Sequence, residues 1–529
     1  MTESEQLETK RMSMATVLLG IPLLLYAILF IAGAICQHLQ ADMPGTGVVT
    51  PRVRIPAGNV DVLFDLTGTA ADGGRLYEHQ IHDAMLELIA EARDILILDM
   101  FLINHYRGED EHPFRRDISK ELADAIVAQL ARHPDLWVLV ITDPINHCYT
   151  RRPPRVLEPV IEAGGHVVVT NLSLLPDSNP LYTFPFRVLR PGLNRIPFLR
   201  KPLFRNPFDA ESPRVSVMQL ARLLRFKANH RKTLLVQDEE GRWHCLVSSA
   251  NAHSASSRHS NIAVLLRNAP LGGLLASELK IARASLLHNR ELYSGPDDAL
   301  TCLRAIEDQL RRTPPASPPA GAPENGVAAR FLTETAIGAA ADDILGSATD
   351  DHHLDVLAFY LADPRFVRNL RQAAQRGVRV RLLLDPNKDA FGRTKNGVPN
   401  RIVATELHDW ALGHDVDLEI RWAATHGEQA HYKMLRLHRP ETPADDTLLL
   451  GSANFTRRNL RGYNLEAAVM LQNAGTHGEK CGQVFDRIWQ NTDGAVYSVP
   501  FEQHAARGAT AWIKKVQTAL GTTTGFCTY

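Results

Sequence analysis

The chain has 529 residues, 45% of them hydrophobic and 22% charged, with 58 Lys and Arg against 59 Asp and Glu. That length predicts about three domains of ~150 residues each, and the composition excludes disorder, collagen and coiled coil as descriptions of the whole. Near-neutral charge argues against a dedicated nucleic-acid binder, though not against a local basic patch. The six scattered cysteines, Cys36, Cys148, Cys245, Cys302, Cys481 and Cys527, form no CxxC pair and no zinc-ligand spacing. They read as small buried hydrophobes or free thiols.

Between Arg11 and Asp42 there is no Asp, Glu, Lys or Arg. Within that stretch residues 14–36 are continuously apolar and longer than the ~20 residues a helix needs to cross a bilayer. The run exceeds the ~7–15 residues of a signal-peptide core and lacks the polar face of a buried soluble helix. It therefore predicts a transmembrane helix after a short tail, 1–13. Lys10 and Arg11 precede the span, whereas the next basic residues are Arg52 and Arg54, so the positive-inside rule favours a cytoplasmic N-terminus and a body on the opposite face, periplasmic in a Gram-negative cell.

Residues 37–57 form a Gly/Pro-containing tether. Beyond it helical and strand-like patterns alternate. Ile81, Met85, Leu88 and Ala92 recur at helical spacing within 78–93, and Ile95 to Leu98 then reads as a buried strand. Leu122, Ile126 and Leu130 mark a helix over 119–132, followed by a strand over 137–141. Such alternation predicts an α/β body with a substantially parallel sheet. A Pro/Ala/Gly-rich linker at 312–326 divides it into domains 58–311 and 327–529.

The two parts repeat one another. ITDPIN around Asp143 is matched by LLDPNK around Asp385. HRK (His230, Arg231, Lys232) is matched by HYK (His431, Tyr432, Lys433), SSAN ending at Asn251 by GSAN ending at Asn454, and NIAV from Asn261 by EAAV from Glu466. Four markers in the same order imply duplication. Asp143 and His230 are 87 residues apart, Asp385 and His431 only 46, so the first part carries about 41 extra residues. That insert holds 181–208, where five Phe interleave with six Arg and Lys and no acid occurs. The pattern suits lipid headgroups and the upper acyl region; single-stranded nucleic acid or a basic loop with its Phe in the core would also fit.

A His two residues before a Lys on an extended strand puts both side chains on one face. An imidazole beside an ammonium suits an anionic oxyacid. With SxN following, and the whole arrangement doubled, the chain resembles the phospholipase D superfamily over roughly residues 58–500, most of all its membrane-anchored bacterial cardiolipin synthase and phospholipase members. The resemblance implies two α/β domains in pseudo-twofold contact, after one transmembrane helix, with both motifs meeting at one site. It implies that His230, Lys232, Asn251, His431, Lys433, Asn454 and Glu466 are catalytic, with one histidine attacking phosphorus and the other acting as acid and base; His230 is read as the nucleophile and His431 as the acid and base, the reverse assignment staying open. Glu466 is expected to hold His431, and Asn261 to orient His230. Ser249, Ser452, Asn261, Arg200 and Lys201 are read as substrate-binding. No cofactor or metal is implied, since two lysines supply the positive charge.

The chain departs from the family pattern at Gln237 and His438, where each motif's Asp would fall, at Ser248 in place of Gly, and at Asn261 in place of an acid. The expected activity is phosphatidyl transfer or phospholipid hydrolysis, with phospholipid and bilayer as partners and no nucleic acid. A nucleic-acid phosphodiesterase and a scaffold that has lost catalysis are the rival readings. The loop 385–401 is read as a headgroup- or rim-binding loop, and His244, His253, His259, His426 and His438 as bystanders to catalysis.

Overall fold

The computed structural model describes residues 3–105, 115–149, 153–208, 213–288, 296–312, 326–390 and 393–527. Residues 313–325 of the expected linker lie outside the described residues.

In the first half, β1 (Val60–Thr69), β2 (Ile95–Met100), β3 (Trp137–Thr142), β4 (His166–Val169), β5 (Lys232–Gln237), β6 (Trp243–Ser248) and β7 (Asn261–Leu266) lie in the order β1-β7-β6-β5-β2-β3-β4. In the second, β8 (Val327–Thr333), β9 (His353–Ala358), β10 (Arg379–Leu384), β11 (Leu418–Ala423), β12 (Lys433–His438), β13 (Thr447–Gly451) and β14 (Ala467–Gln472) lie in the order β8-β14-β13-β12-β9-β10-β11. The orders match strand for strand, so the sequence repeat is a repeat of topology. Only β2-β3-β4 and β9-β10-β11 are mutually parallel. The remaining pairings within these two sets of strands are antiparallel, β5-β6 and β12-β13 among them being hairpins too short for a crossover.

The buried strands read as unbroken apolar runs because both faces are covered. Alternate residues of β2 serve different cores: Leu96 and Leu98 pack under the helices Ile81–Glu91 and Ile118–Arg132, while Ile95 and Ile97 enter a core shared by both sheets. Leu357, Met434 and Val469 reach the same shared core from the second half. The second half has its own outer core, under the helices Thr335–Ser347, Pro364–Gln375 and Asn400–His414.

The N-terminal segment is more than a tether. Val53–Ile55 forms an antiparallel edge strand on β8, and the Gly47 and Val48 amides donate to Glu334 Oε2 (2.9 Å) and Thr333 Oγ1 (2.8 Å). It is preceded by the helix Glu3–His38, whose stretch Gly20–His38 has mean hydropathy 2.0 and is long and apolar enough to cross a membrane. That helix packs on the insert. Phe30 lies 5.2 Å from the Phe184 ring, Tyr26 donates to the Leu181 carbonyl (2.6 Å), and Arg187 reaches Gln37 (2.8 Å) and Asp177 (2.5 Å). The aromatic-basic insert is thus largely a helix, Pro180–Leu193, followed by the short 3₁₀ turn Pro197–Arg200.

Among the described residues no disulfide is formed, and Cys148, Cys245, Cys302 and Cys481 are buried.

Candidate active site

Each HxK motif runs into the start of β5 or β12, where the chain is already extended. His and Lys therefore point one way and the middle residue the other. On the reverse side Arg231 is fully buried against Glu278 (3.2 Å) and Glu334 (2.7 Å). Lys232 Nζ donates to the His230 carbonyl and Lys433 Nζ to the His431 carbonyl, both at 2.8 Å.

The halves meet through the motifs themselves. Asn229, just before the first His, bridges Leu465, just before Glu466; Ala430, just before the second His, bridges Ser260, just before Asn261. The His230 amide donates to the Leu465 carbonyl (2.9 Å) and the His431 amide to the Ser260 carbonyl (2.7 Å).

This stitching overturns the expected partners. His230 Nδ1 lies 2.9 and 3.0 Å from the two oxygens of Glu466, in the opposite half. His431 Nδ1 lies 3.2 Å from Asn261 Oδ1. Glu466 therefore does not hold His431, and Asn261 does not orient His230. Each histidine is oriented by the other half because the register of the two bridges sets it beside the strand that follows.

Ser249 and Ser452 are not placed to bind substrate. Both are fully buried. Ser249 Oγ donates to Asn261 Oδ1 (3.2 Å) and accepts from the Ile262 amide (2.9 Å). Ser452 Oγ donates to Glu466 and accepts from the Ala467 amide (3.0 Å). Asn261 is likewise fully buried, so it positions His431 rather than touching substrate. Arg200 and Lys201 are exposed on the insert, and among the described residues no hydrogen bond or ion pair joins them to the motifs. Asn251 and Asn454 sit at matched positions, each with a buried side-chain oxygen that has no partner, so these amides are not fully committed to the fold.

Residues to which the sequence analysis gave no role in the site complete the arrangement. Asp143 Oδ2 accepts from the Asn229 amide (2.7 Å) and Asp385 Oδ2 from the Ala430 amide (2.8 Å), fixing the chain one residue ahead of each histidine. Phe101 and Phe359 stand directly after β2 and β9, with ring centroids 4.8 and 4.9 Å from the imidazoles of His230 and His431. Lys232 and Lys433 lie 5.0 and 5.2 Å from the same Phe rings, within cation–π range. Aligning LDMF with VLAF on the repeat would have found both phenylalanines.

Both ends of the loop after Asp385 are tied inward. Asn387 and Asn400 both donate to the Phe359 carbonyl, and Arg401 to the Pro386 carbonyl. These groups shape the ground under Phe359 rather than a headgroup rim. His244 pairs with Asp238 (3.0 Å), His438 lies 3.2 Å from Asp355, and His426 meets Arg75 (2.9 Å). His259 accepts from the Gln429 amide (3.2 Å), beside the second motif.

Both histidines are nearly buried, His230 7% exposed and His431 5%. Burial pushes His230 down to about 4, against the raising effect of Glu466. Burial and then the two lysines hold His431 well below the usual range. Burial also lowers Lys232 to about 7 and holds Lys433 well below its ordinary value. Desolvated cations with two neutral imidazoles make a site short of negative charge, which an incoming phosphodiester supplies.

The duplicated sheet and the doubled HxK/SxN arrangement are those of a phospholipase D-like fold. Residues 342–489 match the family model described as "Cardiolipin synthase, PLD-like domain", a span that includes His431, Lys433, Asn454 and Glu466. Among solved structures, phosphatidylserine synthase from Haemophilus influenzae is similar with a TM-score of 0.53 and 11% identity, over 90% of this chain and 95% of that one. Polyphosphate kinase from Porphyromonas gingivalis matches with a TM-score of 0.43 and 12% identity, over 88% of this chain and 53% of that one. The phospholipase D family member Nuc from Salmonella typhimurium matches with a TM-score of 0.24 and 17% identity, over 31% of this chain and 95% of that one. No curated protein sequence matches the chain.

Proposed function

We propose that this chain is a membrane-anchored phosphatidyltransferase or phospholipase D-type phosphodiesterase acting on phospholipids through a phosphohistidine on His230. The observation that carries the reading is the crossed pairing, His230 with Glu466 and His431 with Asn261. A carboxylate on Nδ1–H leaves the Nε2 lone pair free to attack phosphorus and offsets the positive imidazolium of the N–P adduct. The bound phosphodiester's negative charge favours uptake of a proton at His431 Nε2, and the bond from phosphorus to the leaving alcohol breaks as the resulting imidazolium gives that proton to the departing oxygen. An amide partner keeps His431 aligned without raising its hold on the proton. An acceptor hydroxyl, from water or another alcohol, then returns its proton to His431, attacks phosphorus and frees His230. Lys232, Lys433, Asn251 and Asn454 hold the non-bridging oxygens.

A lipid substrate is supported by the apolar helix Gly20–His38, docked on an insert that exposes Leu181, Leu189, Ile196, Phe198 and Phe204 among Arg195, Arg200, Lys201 and Arg205. Such a surface, beside a membrane-crossing helix, suits the headgroup boundary. The positive-inside rule puts the body on the non-cytoplasmic face.

Purified full-length protein given labelled phosphatidylglycerol tests the reading. Cardiolipin with glycerol supports transfer, phosphatidic acid supports hydrolysis, and absence of turnover across several phospholipids overturns the lipid assignment.

A further inference from the structure

Beside Asn251, the side chains of Asp65, His79 and His82 present ligand atoms that all lie within 4.8 Å of one another. Asp65 is on β1, directly opposite Asn261 of β7. Its Oδ1 accepts from the Gln80 and Ile81 amides (2.9 and 3.1 Å), capping the helix Ile81–Glu91. Its Oδ2 is buried with no partner, as are His82 Nδ1 and both ring nitrogens of His79. Asp65 and His82 are each 1% exposed.

The tautomer of His82 makes this arrangement informative. Its Nε2 lies 3.2 Å from the Asn251 carbonyl, an oxygen that only accepts, so Nε2 carries the hydrogen. In the neutral ring Nδ1 is then a bare lone pair, facing the Asp65 Oδ2 lone pair at 3.7 Å. That separation is too long for a hydrogen bond, and two buried acceptors aimed at each other repel. Two bonds of about 2.0–2.1 Å to one tetrahedral ion would set their donor atoms about 3.3 Å apart, so this pair would close by a few tenths of an ångström from its 3.7 Å on binding. A metal-bound histidine whose other nitrogen donates to a backbone carbonyl is the usual outer arrangement of such sites.

We propose that Asp65, His79 and His82 form a binding site for one divalent first-row transition ion such as Zn²⁺, with the fourth position open on the half-buried His79 side. Two imidazoles and one carboxylate select against Mg²⁺ and Ca²⁺, which take oxygen ligands. The ion stands outside the phosphodiester chemistry. It braces β1 and the start of helix Ile81–Glu91 against the loop that carries Asn251, acting as a positioning device whichever phosphodiester the site takes.

Full-length protein in detergent, stripped with chelator and titrated with Zn²⁺ alone, tests this by metal content and by competition with a chromogenic chelator. One equivalent is expected to bind and to raise Tm, and Co²⁺ in its place is expected to give the visible bands of a tetrahedral nitrogen/oxygen site. His79→Ala and Asp65→Asn are each expected to weaken Zn²⁺ binding by at least tenfold. His79→Ala, at a half-buried position, is expected to keep the metal-free Tm, which separates ligand loss from misfolding. Wild-type protein that binds no stoichiometric Zn²⁺ overturns the assignment, and so does one equivalent retained in both variants. These readouts contain no lipid turnover, so they stand or fall apart from the phospholipid reading.

Discussion

Replacing Glu466 by Gln keeps the shape of the side chain and a neutral acceptor for His230 Nδ1–H, so the tautomer survives and only the charge is lost. The carboxylate is fully buried and touches Nδ1 with both oxygens, at 2.9 and 3.0 Å. A hydrogen bond to a charged group contributes about 1.5–3 kcal/mol, and here the charge appears only as the N–P bond forms. The barrier to the phosphoenzyme should therefore rise by that amount, a loss of about tenfold to 150-fold in rate. Bis(p-nitrophenyl) phosphate is the diagnostic substrate, because p-nitrophenolate leaves without a proton. Rapid-mixing measurement of the nitrophenolate burst should show the full loss in Glu466→Gln, whereas Asn261→Ala, which disturbs only the acid, should leave the burst nearly intact and slow turnover of lipid. An unchanged burst in Glu466→Gln, or a trapped adduct on His431, would refute the role assigned to His230.

Lys232, lowered by burial to about 7, gives a pH prediction. The phosphodiester is a monoanion throughout, so below pH ~7 it meets a charged ammonium, and above it binding must first take up a proton. Therefore kcat/KM should fall about tenfold per pH unit above ~7, and Lys232→Arg should remove that limb even if it lowers activity overall. Phe101→Ala removes a ring that touches both the His230 imidazole and the Lys232 ammonium; losing about 1–2 kcal/mol of cation–π and packing support should reduce kcat/KM about fivefold to thirtyfold, with Phe101→Tyr largely retaining it. A Cβ on Gly33 would press on the Phe184 carbonyl. Gly33→Leu should accordingly separate the anchor from the insert, lowering turnover of vesicle lipid while sparing bis(p-nitrophenyl) phosphate hydrolysis; equal loss on both substrates would count against a membrane role for that contact.

Much of the fold was legible because duplication leaves its mark on spacing. Apolar runs such as Ile95 to Leu98 reveal strands buried on both faces, and the doubled HxK and SxN reveal the polar floor of the site. The insert was visible as extra length, yet its helix was not. Pro185 and Pro191 lie inside Pro180–Leu193, and packing against the apolar N-terminal helix overrides their local disfavour. The Asp65–His79–His82 cluster was missed because its members come from a strand, a turn and the first turn of a helix, a spacing that matches no ligand motif.

The sequence by itself determined that there are two like halves, which residues are polar at their junction, and that an apolar helix precedes them, since all of these depend on residue identity at fixed intervals. Which acceptor serves which imidazole was decided only in three dimensions. Glu466 follows His431 by 35 residues and His230 by 236, yet it belongs to the distant one, because backbone bridges from Asn229 to Leu465 and from Ser260 to Ala430 exchange partners across the pseudo-twofold axis. Proximity along a chain is a poor guide wherever two sheets pack over a shared core and the hydrogen-bond register of the segments that bridge them, not chain order, sets the neighbours.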